Sequence, residues 1–150
     1  MYTGFTHLHS ALRYVVLIML IYSVFKAYTA YSNGQAYSKS NDKLFVITMI
    51  LVHTQLLIGL FMYFMSPTVQ TALADMGAAM KDKTLRFVAV EHTLGMLIAI
   101  ALITIGRIKS KKKATDTAKY KTIFTYYGLG LLIILLSIPW PFRGLGYGWF

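Results

Sequence analysis

The sequence predicts an all-α integral membrane protein: a four-helix bundle, one domain over residues 1–150, with both termini on the outer side. Three observations carry that reading. Hydrophobic residues make up 57% of the chain and its mean hydropathy is +0.57, well above a soluble domain. They fall into four long blocks instead of an even scatter, and ~20 apolar residues are enough to cross a ~30 Å hydrocarbon layer. Lysine and arginine gather at the ends of those blocks, which is how membrane proteins fix their orientation.

The first block, residues 4–30, starts without the basic region and small-residue cleavage site of a signal peptide, so it reads as a retained helix. A Ser/Asn/Gly-rich link over 31–41 leads to a second helix at 43–65. That helix stops at Ser66-Pro67, because proline disfavours helix at the residue before it. Residues 68–84 are mixed in polarity and read as a short surface helix. The third helix, 86–107, runs RFVAVEHTLGMLIAIALITIGR between two arginines. A fourth, 120–138, ends at Pro139-Trp140-Pro141, and the aromatic, Gly/Pro-broken tail suits the headgroup interface.

Charge placement gives the orientation. Lys26, Lys39, Lys43, Arg107, Lys109, Lys111, Lys112, Lys113, Lys119 and Lys121 follow helices one and three, against Lys81, Lys83, Arg86 and Arg143 on the opposite side, ten to four. The positive-inside rule puts the 108–121 loop in the cytoplasm. The net charge of +10 is therefore a topology signal. It does not point to nucleic acid, because no basic stripe with interleaved aromatics is long enough to follow a phosphate backbone. Membrane lipid is the partner that the composition implies.

The chain has no cysteine, which excludes disulfides, thiolate-held iron–sulfur clusters and covalent c-type heme. Any metal or cofactor falls to His7, His9, His53 and His92. At 1.5 Å per residue, His9 and His92 both lie ~8–10 Å below the outer surface on helices that run the same way, whereas His53 lies ~15 Å down. His7 and His9 point in nearly opposite directions around their helix, and His7, nearer water, is the one expected at the interface. Two or three inward histidines without cysteine suit bis-histidine ligation of a non-covalent heme b in a bundle core. His92 is the common member, paired with His9 or, with a tilted macrocycle, His53. No H-E-x-x-H or similar zinc spacing is present.

An ionisable residue at membrane depth is costly enough to be a functional candidate. Arg13 lies one turn below His9, and Glu91 directly precedes His92. Arg13 or Arg86 could hold a heme propionate with Glu91 pairing to an arginine or moving a proton, or Arg13 and Glu91 could form a plain interhelical ion pair. Gly95 and Gly59 leave room either for a porphyrin or for close helix packing. Met96, one turn from His92, would touch a cofactor bound there.

HLHSALR, HTQLLIGLFMYF, RFVAVEHTLG and IPWP together resemble the small four-helix bacterial membrane cytochrome b family, over nearly the whole chain. They are more distantly similar to one half-bundle of heme A synthase. The resemblance implies a multi-pass protein of the bacterial inner membrane, with His9 and His92 as axial ligands. The glutamate-x-x-histidine arrangement of heme A synthase is absent around His9, so heme A synthesis is not implied. The functional expectation is heme-based electron transfer near the outer side, with a membrane quinol as possible donor and a larger membrane complex or a homodimer as partner. The alternative is a heme-free accessory subunit of a respiratory complex, and a metal or small-solute transporter comes third.

Overall fold

The computed structural model describes residues 2–149, and those residues are helical with no strand. Helix α1 (Tyr2–Ser32) is followed by α2 (Lys39–Met65), and then by three short helices, α3 (Pro67–Ala74), α4 (Met76–Ala79) and α5 (Lys83–Arg86). A π-helical turn, Phe87–His92, joins α5 to α6 (Thr93–Lys111); α7 (Asp116–Ser137) and a 3-10 turn, Pro141–Arg143, complete the order. Four continuous runs, Tyr2–Ser32, Lys39–Met65, Lys83–Lys111 and Asp116–Ser137, are long and apolar enough to span a membrane. Each is longer than the range read from the sequence, although the second ends at the same residue and the last ends one residue sooner, at Ser137.

Side-chain caps set the helix starts. The Ser38 hydroxyl accepts from the Asn41 amide (3.1 Å) and the Thr115 hydroxyl from the Ala118 amide (3.2 Å), satisfying donors that a helix start leaves open. Ser66 caps α3 with Pro67 in its first turn, a position where the missing N–H costs nothing. The four long helices pack as a square, α1 touching α2 and α7, and α6 touching α7 and α2. The α6–α7 edge is especially close, since a β-carbon built on Gly106 would overlap the Tyr126 side chain.

The bundle turns apolar residues outward. Ile18 and Leu57 are both 67% exposed and Phe64 70%, while Ser23, Thr48 and Arg107 are buried. Such a surface is stable against hydrocarbon, where helix association rests on packing and interhelical hydrogen bonds. Ser23 and Thr48 supply one such bond between α1 and α2, 2.7 Å long.

At the end carrying the 33–38 and 112–115 links, polar groups close the bundle. Tyr120 donates to the Ala36 carbonyl and accepts from Asn41 Nδ2, and Tyr127 donates to the Phe45 carbonyl. Arg107, expected to be a terminal charge anchor, is instead 2% exposed. Helix α6 runs on to Lys111, and Arg107 turns inward because it has partners there: Asp42 Oδ1 accepts from its Nη2 (2.6 Å) and from the Tyr37 hydroxyl (2.9 Å). The remaining nine basic residues of that side keep the charge asymmetry.

The 66–86 segment departs from a single surface helix. Ala72 of α3, Ala79 of α4 and Ala89 of the π turn form a small core of their own, with Asp75 and Asp82 capping the helices that follow them.

Burial, reinforced by the hydrogen bond to Asp42, pushes the Tyr37 hydroxyl up to about 12 from its ordinary value of 10.0. A group whose folded value is raised contributes stability that is complete below its unfolded value and lost as pH climbs through the folded one. Thermal unfolding in detergent should therefore lose stability between pH 10 and 12, with a shallower loss in Tyr37→Phe. Identical pH slopes for the two proteins would remove Tyr37 from the account of this end.

Candidate functional site

The opposite end of the bundle carries His9 and His92. It gathers the start of α1, the end of α2, the π turn and the 138–149 tail around an internal cavity of about 230 Å³. The walls are largely apolar, with Val52, Leu56, Met96, Ile100 and Ile134 among them, and His9, Arg13, Gln55 and His92 are among the polar residues that line it.

His9 reaches in from α1. Gln55 on α2 donates from Nε2 to the His9 carbonyl at 2.9 Å. A carbonyl can only accept, so this bond fixes the amide orientation. One turn along α2, a β-carbon on Gly59 would stand 3.1 Å from His9 Cε1. Gly59 thus makes room for the imidazole itself.

His92 reaches in from the end of the π turn, across the square from His9. Its Nδ1 lies 2.8 Å from the Ser137 carbonyl of α7, so Nδ1 carries the proton and Nε2 keeps the open lone pair. An imidazole whose other nitrogen donates to a backbone carbonyl is the usual state of a histidine metal ligand. Gly95 is what allows it, because a β-carbon there would overlap Ser137 Oγ. Of the two readings of Gly95, room for a porphyrin or close helix packing, the structure has the second: its open side is filled by α7.

The two imidazoles face each other with ring centroids 6.5 Å apart and planes at 74°. Two imidazoles on opposite sides of one metal, each nitrogen ~2.0–2.1 Å from it, have centroids ~6.3 Å apart. The spacing therefore fits a bis-imidazole site. Among the described residues no group of three or more His, Cys, Asp or Glu could hold a metal ion, so the arrangement is a pair and not a cage.

Arg13 stands one turn along α1 from His9. Its Nη2 donates to the Trp149 carbonyl (2.6 Å) and to the Tyr14 hydroxyl (3.1 Å), and Tyr14 also donates to Trp149 (2.8 Å). These bonds fold the tail back over the bundle end, where Tyr147 and Gly148 line the cavity. The tail is thus part of the site, a role its aromatic composition did not reveal.

Four side-chain polar atoms among the described residues are buried without a hydrogen-bond partner: His9 Nδ1, Arg13 Nε, Gln55 Oε1 and Arg107 Nε. The first three belong to residues of this one cavity. Buried polar atoms are rarely left unpaired, and an ordered water or a bound group in the cavity would complete them.

The structure does not bring the other candidates to this pair. His53 has a protein partner at each ring nitrogen, Met49 O at 2.7 Å and Thr104 Oγ1 at 3.2 Å. Thr104 lies twelve residues along the helix from His92, ~18 Å at 1.5 Å per residue, so a His53–His92 pair does not form. Glu91 pairs with Arg86 at 2.7 Å and not with Arg13, and neither Arg86 nor Glu91 lines the cavity. His7 is exposed. Met96 does line the cavity, as its spacing from His92 suggested.

No family model, curated protein or solved structure matches the chain. The chemistry of the site rests on its geometry.

Proposed function

We propose that this chain is a b-type cytochrome of the bacterial inner membrane, with His9 and His92 as the axial ligands of a non-covalent heme. The apposition of the two imidazoles at 6.5 Å is the observation that carries the reading. The Ser137 carbonyl supports it by leaving His92 Nε2 as the coordinating atom. The unpaired Nε of Arg13 is the donor this cavity offers to a propionate, a charge-assisted bond of the stronger kind. Met96 and the apolar walls would keep water away and contact the macrocycle. The cavity is smaller than the ~300–1,000 Å³ of sites for drug-sized ligands, so loading requires flexible linings such as Met62 and Met96 to move.

Heme held in this way supplies a one-electron iron couple with both axial positions taken by nitrogen, which favours electron transfer over oxygen chemistry. A membrane quinol as donor, and a second membrane protein or a second copy of the chain as companion, are the partners the reading calls for. The alternative, a heme-free accessory subunit, draws on the same interhelical bonds, Gln55 to His9 and His92 to Ser137, taken as helix locks.

Absorption spectra separate the two readings. Protein purified from heme-replete cells should show the sharp reduced α-band of low-spin heme, and acid-acetone should extract the heme completely. His9→Ala and His92→Ala should each abolish the low-spin species, whereas His53→Ala should retain it. Colourless, folded wild-type protein would leave the accessory-subunit reading.

The nine-to-four charge asymmetry supports a cytoplasmic 108–121 loop and periplasmic termini, which puts the cavity on the periplasmic side. An enzyme reporter fused after Lys112 should report cytoplasm and one at the C-terminus periplasm. The reverse pattern would invert the site.

A further inference from the structure

The π turn that ends at His92 is bracketed by contacts five residues apart. Arg86 Nε donates to Glu91 Oε1 at 2.7 Å, the Phe87 ring lies 6.2 Å from the His92 ring, and the Thr93 hydroxyl donates to the Val88 carbonyl at 3.2 Å. In an α-helix, residues five apart are about 140° apart around the axis and do not meet. All three contacts therefore belong to the π turn, and a return to α-helical register would break them together.

The two faces of the turn differ. Phe87, 2% exposed, lines the cavity, and its outer side is held by the Arg143 guanidinium, 4.6 Å from the ring centre. Arg143 is itself fixed by the Leu136 and Ile138 carbonyls at the end of α7. On the other face, Arg86 and Glu91 are 34% and 44% exposed, and Arg86 Nη1 also donates to the Met80 carbonyl at 2.9 Å. Lone π turns inside helices concentrate at functional sites. Here the turn carries a candidate ligand at its last position.

We propose that Arg86 and Glu91 are positioning residues for the cavity: their ion pair, outside the site, holds the π turn that seats Phe87 against the His92 ring. The ligand consequence rests on the heme reading; the clamp itself does not. Neither residue touches the cavity, so removing Glu91 leaves its walls chemically intact.

The test uses the full-length protein in lipid nanodiscs. In Glu91→Ala, amide hydrogen exchange over 87–92 should quicken roughly two- to fivefold, the scale of a half-exposed ion pair. Glu91→Gln, which keeps a hydrogen-bond acceptor for Arg86, should fall between it and wild type. In heme-loaded protein, Glu91→Ala should add a high-spin fraction that Arg86→Glu/Glu91→Arg removes. Unchanged exchange in Glu91→Ala overturns the clamp, whatever the spectrum. A wild type that takes up no heme, with exchange responding as described, overturns the heme reading and leaves the clamp standing.

Discussion

In a bundle that turns its apolar side chains outward, every polar group facing inward needs a partner within the protein, because hydrocarbon offers none. The two ends of this molecule meet that constraint differently. Around Arg107, the Asp42 carboxylate and the Tyr37 hydroxyl share one charged network, and Tyr120 and Tyr127 tie the links to the helix ends. At the other end, His9, Arg13 and Gln55 keep buried atoms unpaired beside a cavity. One end is tied together by its own side chains, although Arg107 Nε is also left unpaired there. The other leaves three such atoms around its cavity.

The elements around the cavity each contribute one geometric condition. Gly59 lets the His9 ring lie against α2, and Gly95 lets α7 approach until the Ser137 carbonyl reaches His92. The π turn puts Phe87 on the same face as His92, and the tail returns to bond Arg13. Removing the open space at either glycine would displace a histidine ring without touching its chemistry. The apposition of His9 and His92 depends on small residues at helix crossings.

Much of this was legible in the sequence. Four spanning helices followed from the apolar blocks, and the facing of His9 and His92 followed from counting residues at 1.5 Å along two helices of the same direction. Sequence spacing could not show what surrounds them. Arg107 reads as a boundary charge because its partners, Asp42 and Tyr37, are distant in the chain and meet it only when the bundle forms. Gly95 offers the same sequence signal whether it faces a cofactor or a neighbouring helix. The π turn leaves no mark in a periodicity counted at 3.6 residues per turn, although the five-residue spacing of Arg86 and Glu91 was there to be noticed. The tail's closure over Arg13 runs through a backbone carbonyl, which sequence identity does not encode.

If His9 and His92 ligate one iron, the angle between their planes gives the pair a spectroscopic signature. Axial imidazoles close to parallel give an ordinary rhombic low-spin ferric signal, whereas planes near perpendicular, such as the 74° here, give a highly anisotropic one. Low-temperature electron paramagnetic resonance of the oxidised, heme-replete protein should show the highly anisotropic low-spin signal. A high-spin ferric signal from the folded wild type, or protein that carries no heme iron, would contradict that ligation.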